Sequence, residues 1–291
     1  MPSTDPSATT GFLQARPVLQ IDGEEREDLG DAVTATEVHL PLHGRGHAEI
    51  HLVDWANGRR VASDLALGTV VSVLMGDASA PVFSGEITGI EERYGDGAPQ
   101  LVVLAEDPLH RLGRQRHNRR FEAMTLDAVF DQILPDAGLQ GDTALGTANA
   151  TWLQMNESSL AFLMRLASAQ GIGLRMHAGM VRAKAEEEDS EPIHLDPDTG
   201  TAKTVRIIAD LNHQPSSITV RGHDLATGEP ISHTVTALTP APSGPTATAA
   251  LEAAGWQTES ILPHPFARSQ SEAEAIAEGQ FARAASRFLH G

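Results

Sequence analysis

The sequence predicts a mainly β protein with an α+β part in its middle. Short runs in which apolar and polar residues alternate fill residues 12–107 and return after residue 204. Between residues 125 and 171 the apolar residues instead recur every three to four positions, which is typical of helices. Twenty-six glycines and 17 prolines among 291 residues supply the turns that many short strands need. A chain of this length has room for two or three compact units.

The first part of the chain is predicted to form six strands with little helix. Turn residues separate them at Asp22–Glu25, at Gly76–Asp77 and at Gly95–Gly97. The six predicted strands cover residues 12–21, 33–40, 48–53, 70–75, 82–92 and 100–105. Six short strands in succession indicate a small barrel or sandwich.

Two helices and a hairpin are predicted in the middle part. The first helix begins after Thr125, a suitable N-cap, and ends at Pro135 and Gly138. The second covers about residues 158–170, and Gly171 has the position of a C-cap glycine. Apolar residues cover most of its circumference, so we expect it to be buried on more than one side. A hairpin turn is predicted at residues 177–179.

Strand patterns return after an acidic, turn-rich linker at residues 186–192. The predicted strands cover residues 205–208, 217–221 and 231–237. A stretch rich in Pro, Thr, Ala and Gly at residues 239–250 is expected to form an exposed loop. The final helix is expected to start at Ser271, with Glu274 completing a capping box, and to run to about Leu289.

Composition and charge exclude several classes of function. The chain has no cysteine, so a disulfide framework, a thiolate metal site and a cysteine nucleophile are impossible. The chain has 21 basic and 39 acidic residues, and its net charge of -18 argues against binding to nucleic acid or to anionic lipid. The polar start of the chain lacks the pattern of a signal peptide, and no apolar run approaches the roughly 20 residues of a membrane span. We therefore expect synthesis in the cytoplasm.

Four histidines and four carboxylates are the nearest approach to a catalytic or metal-binding motif. The histidines recur every four residues, but a proline and two glycines between them exclude the helix that would align them, so we interpret them as surface or core residues. They are His39, His43, His47 and His51. The carboxylates are Glu86, Glu91, Glu92 and Asp107. Two of these could converge as general acid and base, but a chain with 39 acidic residues offers such pairs by chance.

One basic cluster lies between the first and middle parts of the chain. Its members are Arg111, Arg114, Arg116, Arg119 and Arg120. No aromatic residues alternate with these arginines, which disfavours binding to phosphate or nucleic acid. A salt-bridged contact between subunits is the favoured interpretation, and the candidate interface residues are Arg114, Arg116, Arg119 and Arg120.

Four segments carry longer motifs. Phe83–Ile90 has the sequence F-S-G-E-I-T-G-I, and Ala105–Leu112 has A-E-D-P-L-H-R-L. Gln154–Ile172 has Q-M-N-E-S-S-L-A-F-L-M-R-L-A-S-A-Q-G-I, and Ser217–Asp224 has S-I-T-V-R-G-H-D. Together these segments resemble the late control protein D/VgrG family. Its members are the baseplate hubs of contractile phage tails, type VI secretion machines and extracellular injection particles.

The resemblance implies a structural protein without catalytic residues, cofactor or metal. Two tail-tube-like β-barrels would flank a helix-containing middle domain, with divisions at residues 1–107, 108–190 and 191–291. The implied assembly is a homotrimer at the tip of the inner tube, where it joins the six-fold tube to a three-fold spike. Its partners would be the inner tube protein, the spike protein and other baseplate proteins. No membrane binding and no specific nucleic-acid binding are expected.

The sequence also departs from the family. Ser159 stands where the family more usually has Asp, and hub chains usually continue beyond the final helix. Either the spike is a separate polypeptide or this chain is truncated, and the kind of machine stays open. Two alternative functions are a tail-associated cell-wall hydrolase that uses Glu86, Glu91 and Asp107, and a β-rich receptor- or carbohydrate-binding module. An aromatic content of only 4% disfavours the second alternative.

Overall fold

The computed structural model describes residues 17–55, 60–61, 65–75, 80–95, 97–185, 204, 206–239, 241–242 and 244–290. The chain divides into two compact units. The first unit holds residues 1–41 and 45–110, and the second holds residues 42–44 and 111–291. Strands make up 40% of the structure and helices 24%, which confirms the predicted mainly β class. The division into three domains stays a prediction.

The first unit is built on one seven-stranded sheet. Its elements are β1 (Pro17–Ile21), β2 (Glu24–Glu25), α1 (Glu27–Ala32), β3 (Val33–His39), β4 (His47–Val53), β5 (Val70–Met75), β6 (Phe83–Arg93) and β7 (Gln100–Glu106). The strand order is β2-β1-β5-β6-β7-β4-β3, and all neighbours are antiparallel. No closed barrel is detected among the described residues.

The six strands predicted for this unit are confirmed within the described residues. Residues 12–16 of the first predicted strand and the turn at Gly76–Asp77 lie outside them. Alternation is clearest in β4, where every second side chain from Ala48 to Leu52 is buried. The short helix α1 was not predicted, because it has six residues and includes Gly30.

The glycine of the first motif permits a close approach of two strands. A Cβ atom at Gly85 of β6 would overlap the carbonyl group of Glu106 on β7 and the ring of Phe83. Phe83 itself is buried in the core of the first unit together with Ile87 and Val103. In the F-x-G pattern, the phenylalanine fills the core, and the glycine leaves room for the neighbouring strand β7.

The second unit begins with a mixture of helices and short strands. Its first elements are α2 (His110–Gly113, which starts on the last residue of the first unit), β8 (Arg116–Met124), α3 (Leu126–Ile133), β9 (Gly141–Thr143), β10 (Ala150–Ser158), α4 (Ser159–Ala169), β11 (Arg175–His177) and β12 (Met180–Ala183). The predicted Thr125 N-cap is confirmed, since its hydroxyl accepts a hydrogen bond from the Ala128 amide at 3.3 Å. The predicted hairpin is also confirmed, because Ala178 and Gly179 both have positive φ between β11 and β12.

Helix α4 is buried on more than one side, as its sequence predicts. Ser158 caps its N-terminus by accepting from the Ala161 amide at 3.2 Å, and Gly171 has a left-handed φ of 71° beyond its C-terminus. Its buried residues are Ser159, Leu160, Phe162, Leu163, Leu166 and Ala167. The strands β8 and β10 were not predicted.

The rest of the second unit contains a small sheet covered by a helix. The elements are β13 (Ile208–Ala209), β14 (Ser217–His223), β15 (Pro230–Val235), α5 (Ala247–Ala254), β16 (Glu259–Ala267), α6 (Gln270–Ala285) and β17 (Leu289–His290). The strand order is β15-β14-β16, with β14 antiparallel to β15 and parallel to β16. Apolar side chains of α6, including Ile276 and Phe281, pack against Val220 and Ile231 of this sheet.

Three expectations for this region are corrected. Residues 247–250 belong to helix α5 instead of a loop, because Thr246 caps the helix and Leu251 anchors it in the interior. The final helix has its N-cap at Ser269 instead of Ser271 and ends at Ala285. The Glu272 carboxylate bonds to Arg268, and β17 pairs with β13 where the helix was expected to continue.

The linker at residues 186–192 lies outside the described residues, and in the predicted strand 205–208 only Ile208 is found in a strand.

Within the described ranges, none of the helices is long and apolar enough to span a membrane.

A glycine pair allows α6 to cross the end of α4. A Cβ atom at Gly279 would overlap the carbonyl group of Gln170, and one at Gly171 would overlap the carbonyl group of Gly279. Beside the crossing, the Gln280 side-chain amide donates to the carbonyl oxygens of Ser168 and Ala169 at 2.7 and 3.1 Å. Both carbonyls belong to the last turn of α4, and the Ser168 carbonyl also accepts from the Gly171 amide at 3.0 Å.

Replacing Gly279 by alanine tests this crossing. In an exposed helix, Gly→Ala would stabilise the protein by up to about 1 kcal/mol. Here we expect Gly279→Ala to destabilise the second unit by about 1–3 kcal/mol, because the new methyl group meets backbone that cannot move aside. Chemical denaturation of the full chain measures the change. Gly244→Ala is the control, since a Cβ atom there meets nothing within 4 Å; a Gly279→Ala variant as stable as this control would contradict the prediction.

Candidate subunit-interface surface

The predicted basic cluster lies on a two-stranded ribbon. Strands β8 and β10 pair antiparallel, with Leu153 opposite Arg120 and Met155 opposite Asn118. No third strand is paired with them among the described residues. The side chains of the ribbon alternate between its two faces.

One face of the ribbon is packed against helix α4. The ring of Phe121 on β8 stacks on Phe162 of α4, with 5.6 Å between ring centroids. Gln154 of β10 is also buried, and its amide donates to the Glu157 carbonyl at 3.0 Å. The indole nitrogen of Trp152 donates to the Met124 carbonyl at 2.8 Å. These contacts fix the ribbon on the second unit.

The opposite face exposes apolar side chains beside arginines. Leu153 is 48% exposed and Met155 is 71% exposed. Arg120, opposite Leu153, forms an ion pair of 3.0 Å with Glu122, and both side chains are more than 60% exposed. Exposed pairs of this kind contribute little to stability, so their charges are available to a neighbouring molecule. We call Leu153, Met155, Arg116 and Arg120 the outer ribbon face.

Three arginines of the basic cluster, including Arg116 of the outer ribbon face, also contact the second unit itself. Arg119 forms an ion pair of 2.8 Å with Asp136, and Arg116 donates to the Asn156 carbonyl at 2.7 Å. Arg111 donates to the Ala137 carbonyl at 3.2 Å, and Arg114 is exposed just before β8.

The sequence predicted the arginines of this surface from their charge. Leu153 and Met155 were missed, because only the tertiary structure shows that these apolar residues point outwards.

The four candidate catalytic carboxylates each have a structural partner in the first unit. Glu86 lies 2.7 Å from the imidazole of His110, Glu91 pairs with Arg93, and Glu92 contacts Arg60 and Tyr94. The three carboxylates are thus engaged in ion pairs and hydrogen bonds with residues of the first unit.

Asp107 has a structural role in the A-E-D-P-L motif. Its buried carboxylate accepts hydrogen bonds from the amides of Gly46 at 2.5 Å and Leu109 at 3.0 Å. Burial raises the pKa of Asp107 above its usual range, and the two amide donors limit the rise. The carboxylate thus joins the start of β4 to the turn after β7.

The four histidines do not form one cluster in the described structure. His39 and His47 are paired across β3 and β4 with their rings 5.1 Å apart, and His51 contacts Glu49 at 2.8 Å. His43 belongs to the second unit. The strand–turn–strand arrangement expected from Gly44 and its neighbours is confirmed.

His43 is held as a neutral imidazole. Its Nδ1 accepts a hydrogen bond from the Leu174 amide at 3.0 Å, and its Nε2 lies 3.1 Å from the Ser168 hydroxyl. An acceptor at Nδ1 places the ring proton on Nε2, which then donates to Ser168. Burial, with a smaller contribution from the charge of Arg283, lowers the pKa of His43 below 6.5.

The fold first defines a class, that of a mainly β protein with a helix-containing part in its second unit. Residues 42–290 match the family model of the phage tail baseplate hub (GPD), and the chain belongs to this family. It is thus a phage tail component with a structural hub role. The resemblance found in the four sequence motifs is confirmed. No finding supports the hydrolase alternative.

Solved structures of phage tail proteins share the fold. The 43 kDa tail protein of prophage MuSo2 from Shewanella oneidensis is 15% identical, with a TM-score of 0.64, over 94% of this chain and 80% of that chain. A tail protein from Neisseria meningitidis MC58 is 12% identical, with a TM-score of 0.60, over 92% and 76%. The prophage tail protein gp18 from Listeria monocytogenes EGD-e is 12% identical, with a TM-score of 0.53, over 91% and 76%. A search of curated protein sequences finds no match.

The neutral state of His43 predicts a pH dependence of stability. Its pKa in the folded protein lies below the unfolded value of 6.5, so the unfolded chain binds more protons at mildly acidic pH. The stability from this contact is present above pH 6.5 and is lost as the pH falls through the folded pKa. We expect His43→Gln to unfold with a weaker pH dependence than the wild type below about pH 6.5.

Denaturant midpoints measured at several pH values test this expectation. His213→Gln, at an exposed histidine of the same unit, is the control and should keep the wild-type slope. If His43→Gln and the wild type lose stability in parallel as the pH falls, the His43 imidazole does not cause the pH dependence of stability.

Proposed function

We propose that three copies of this chain form a ring that joins the six-fold inner tail tube to a three-fold spike. The observation that carries the proposal is that each chain contains two compact units, each with its own β core. Three chains then present six β units to a six-fold neighbour, while the ring keeps three-fold symmetry for the spike. The tube, spike and other baseplate proteins are the partners that this role requires.

The two β units of one chain are unequal in the described residues. The first has a seven-stranded sheet, and the second has a three-stranded sheet covered by α6. A ring with alternating units of this kind has three-fold symmetry while offering six similar positions. Such an arrangement suits a protein that lies between neighbours of different symmetry.

The outer ribbon face is our proposed contact between subunits. Leu153 and Met155 supply apolar surface, and Arg116 and Arg120 supply positive charge at its margin. An apolar centre with a polar rim is typical of protein interfaces, and Met and Arg are enriched there. Because the chain carries a net charge of -18, a second copy offers ample acidic surface to face these arginines.

Imaging of the assembled tail tests the stoichiometry. We expect three copies of the chain at the end of the inner tube, in contact with the tube on one side and the spike on the other. Isolated chain is a poorer sample, because a ring can require its neighbours in order to form. Six copies at this position, or a single copy, would overturn the trimer.

A single substitution and a matched control test the outer ribbon face. We expect Met155→Asp to reduce incorporation of the chain into tails by about tenfold or more, because a charge replaces apolar surface at the interface centre. Leu225→Asp is the matched control, since Leu225 is 83% exposed in the turn between β14 and β15. Incorporation is measured by quantifying the chain in purified particles, and circular dichroism checks that both variants fold.

Charge reversal separates the arginines from the apolar centre. Arg120→Glu should weaken incorporation most at low ionic strength, where charge attraction is least screened. If Met155→Asp and Arg120→Glu both assemble as well as Leu225→Asp, the ribbon is not the interface, although the trimer itself could still be correct.

A further inference from the structure

A histidine and two glutamates from separate elements meet beside the small sheet of the second unit. His233 lies on β15, and Glu274 and Glu278 lie on α6. One ligand atom from each side chain, an imidazole nitrogen or a carboxylate oxygen, lies within 4.8 Å of the other two. Across the described residues, this is the one group of three or more such side chains with that geometry.

The imidazole is positioned by the core. His233 lies between Ile231 and Val235 on β15, and these two neighbours are buried against α6. Alternate side chains of a strand share one face, so His233 points to the same side as the core residues. It is half-buried, and its backbone is fixed by pairing with Val220 of β14.

The two carboxylates are one helical turn apart and lie at the margin of the core. Glu274 and Glu278 are exposed, whereas Ala273, Ile276 and Ala277 beside them are buried. Residues at i and i+4 lie on the same face of a helix, and like charges there repel each other. In the part of the chain that the structure describes, no Lys or Arg forms an ion pair with either glutamate. Two negative charges are thus held together beside a nitrogen ligand.

This combination of donors fits a first-row divalent cation. Imidazole favours Zn²⁺ and its neighbours in the series, whereas Ca²⁺ and Mg²⁺ prefer sites made of oxygen alone. Zinc takes nitrogen and carboxylate ligands at about 2.0–2.2 Å, which in a tetrahedral site puts the ligand atoms about 3.5 Å apart. Rotation of the two glutamate side chains, which have free space in solvent, closes the difference from 4.8 Å.

We propose that His233, Glu274 and Glu278 bind Zn²⁺ through three protein ligands, with water in the fourth position. The bound ion joins the edge strand β15 to helix α6 and neutralises the repulsion between the two glutamates. A cation that binds only the folded chain raises its stability in proportion to the logarithm of its concentration. The site therefore makes the stability of the second unit dependent on zinc.

The proposal is tested by titrating metal into the full, untagged chain after a chelator has removed any bound metal. We expect isothermal titration calorimetry to show one equivalent of Zn²⁺ that is absent from His233→Gln and from the double variant Glu274→Gln/Glu278→Gln. Because the chain has 13 histidines, the loss relative to the wild type is the informative quantity. His213→Gln, at an exposed histidine outside the group, should retain the equivalent.

Thermal unfolding of the wild type and of Glu278→Gln, with and without zinc, gives a second test. Without metal, Glu278→Gln should unfold at the same temperature as the wild type or slightly above it, because the repulsion is removed. With zinc in excess, the unfolding temperature of the wild type should rise by several degrees and that of the variant should not, so the wild type becomes the more stable of the two. Excess Mg²⁺ should leave both unchanged. Equal zinc binding by the wild type and the double variant, or an equal zinc-induced rise in the unfolding temperatures of the wild type and Glu278→Gln, would overturn the site.

Discussion

The crossing of α4 and α6 at Gly171 and Gly279 is the constraint on which the second unit depends. Two backbones approach there more closely than any side chain would permit. Gln280 then supplies donors to the last carbonyls of α4, so the contact is made by hydrogen bonds as well as by packing. Since α6 also covers β14 and β15, the position of the small sheet follows from the position of this crossing.

The ribbon depends on the same helices. Phe162 of α4 supports Phe121, and the guanidinium of Arg268, just before α6, lies 4.4 Å from the ring centroid of Trp152 on β10. Arg268 also donates to the Thr151 carbonyl at 2.9 Å and is paired with the buried Glu272. The long family motif from Gln154 to Ile172 therefore specifies a ribbon strand, a capped helix and a crossing glycine. Its residues perform packing instead of chemistry, which agrees with a structural hub.

Local patterns predicted the elements whose stability is local. Strands β3 to β7 and the capped helices α3 and α4 were found because alternation, caps and glycine signals all agreed. Strand β8 was missed because R-H-N-R-R-F-E-A-M has no apolar alternation, and it becomes a strand only by pairing with β10. The loop expected at residues 247–250 is helical because of a cap and one buried leucine. The group of His233, Glu274 and Glu278 had no sequence signal, since its members come from a strand and a helix far apart in the chain.

The acidity of the chain bears directly on how copies can associate. With a net charge of -18 on each chain, three copies repel one another at long range, and the repulsion weakens as salt screens it. The proposed ring must overcome this with short-range contacts, and the outer ribbon face combines exposed Leu153 and Met155 with arginines in a chain whose acidic residues outnumber its basic ones by 39 to 21. At such a face the arginines reduce the local repulsion while the apolar side chains supply attraction that salt does not weaken. The same acidity elsewhere opposes unspecific aggregation, so charge and the proposed ribbon contact together would favour one mode of contact over many.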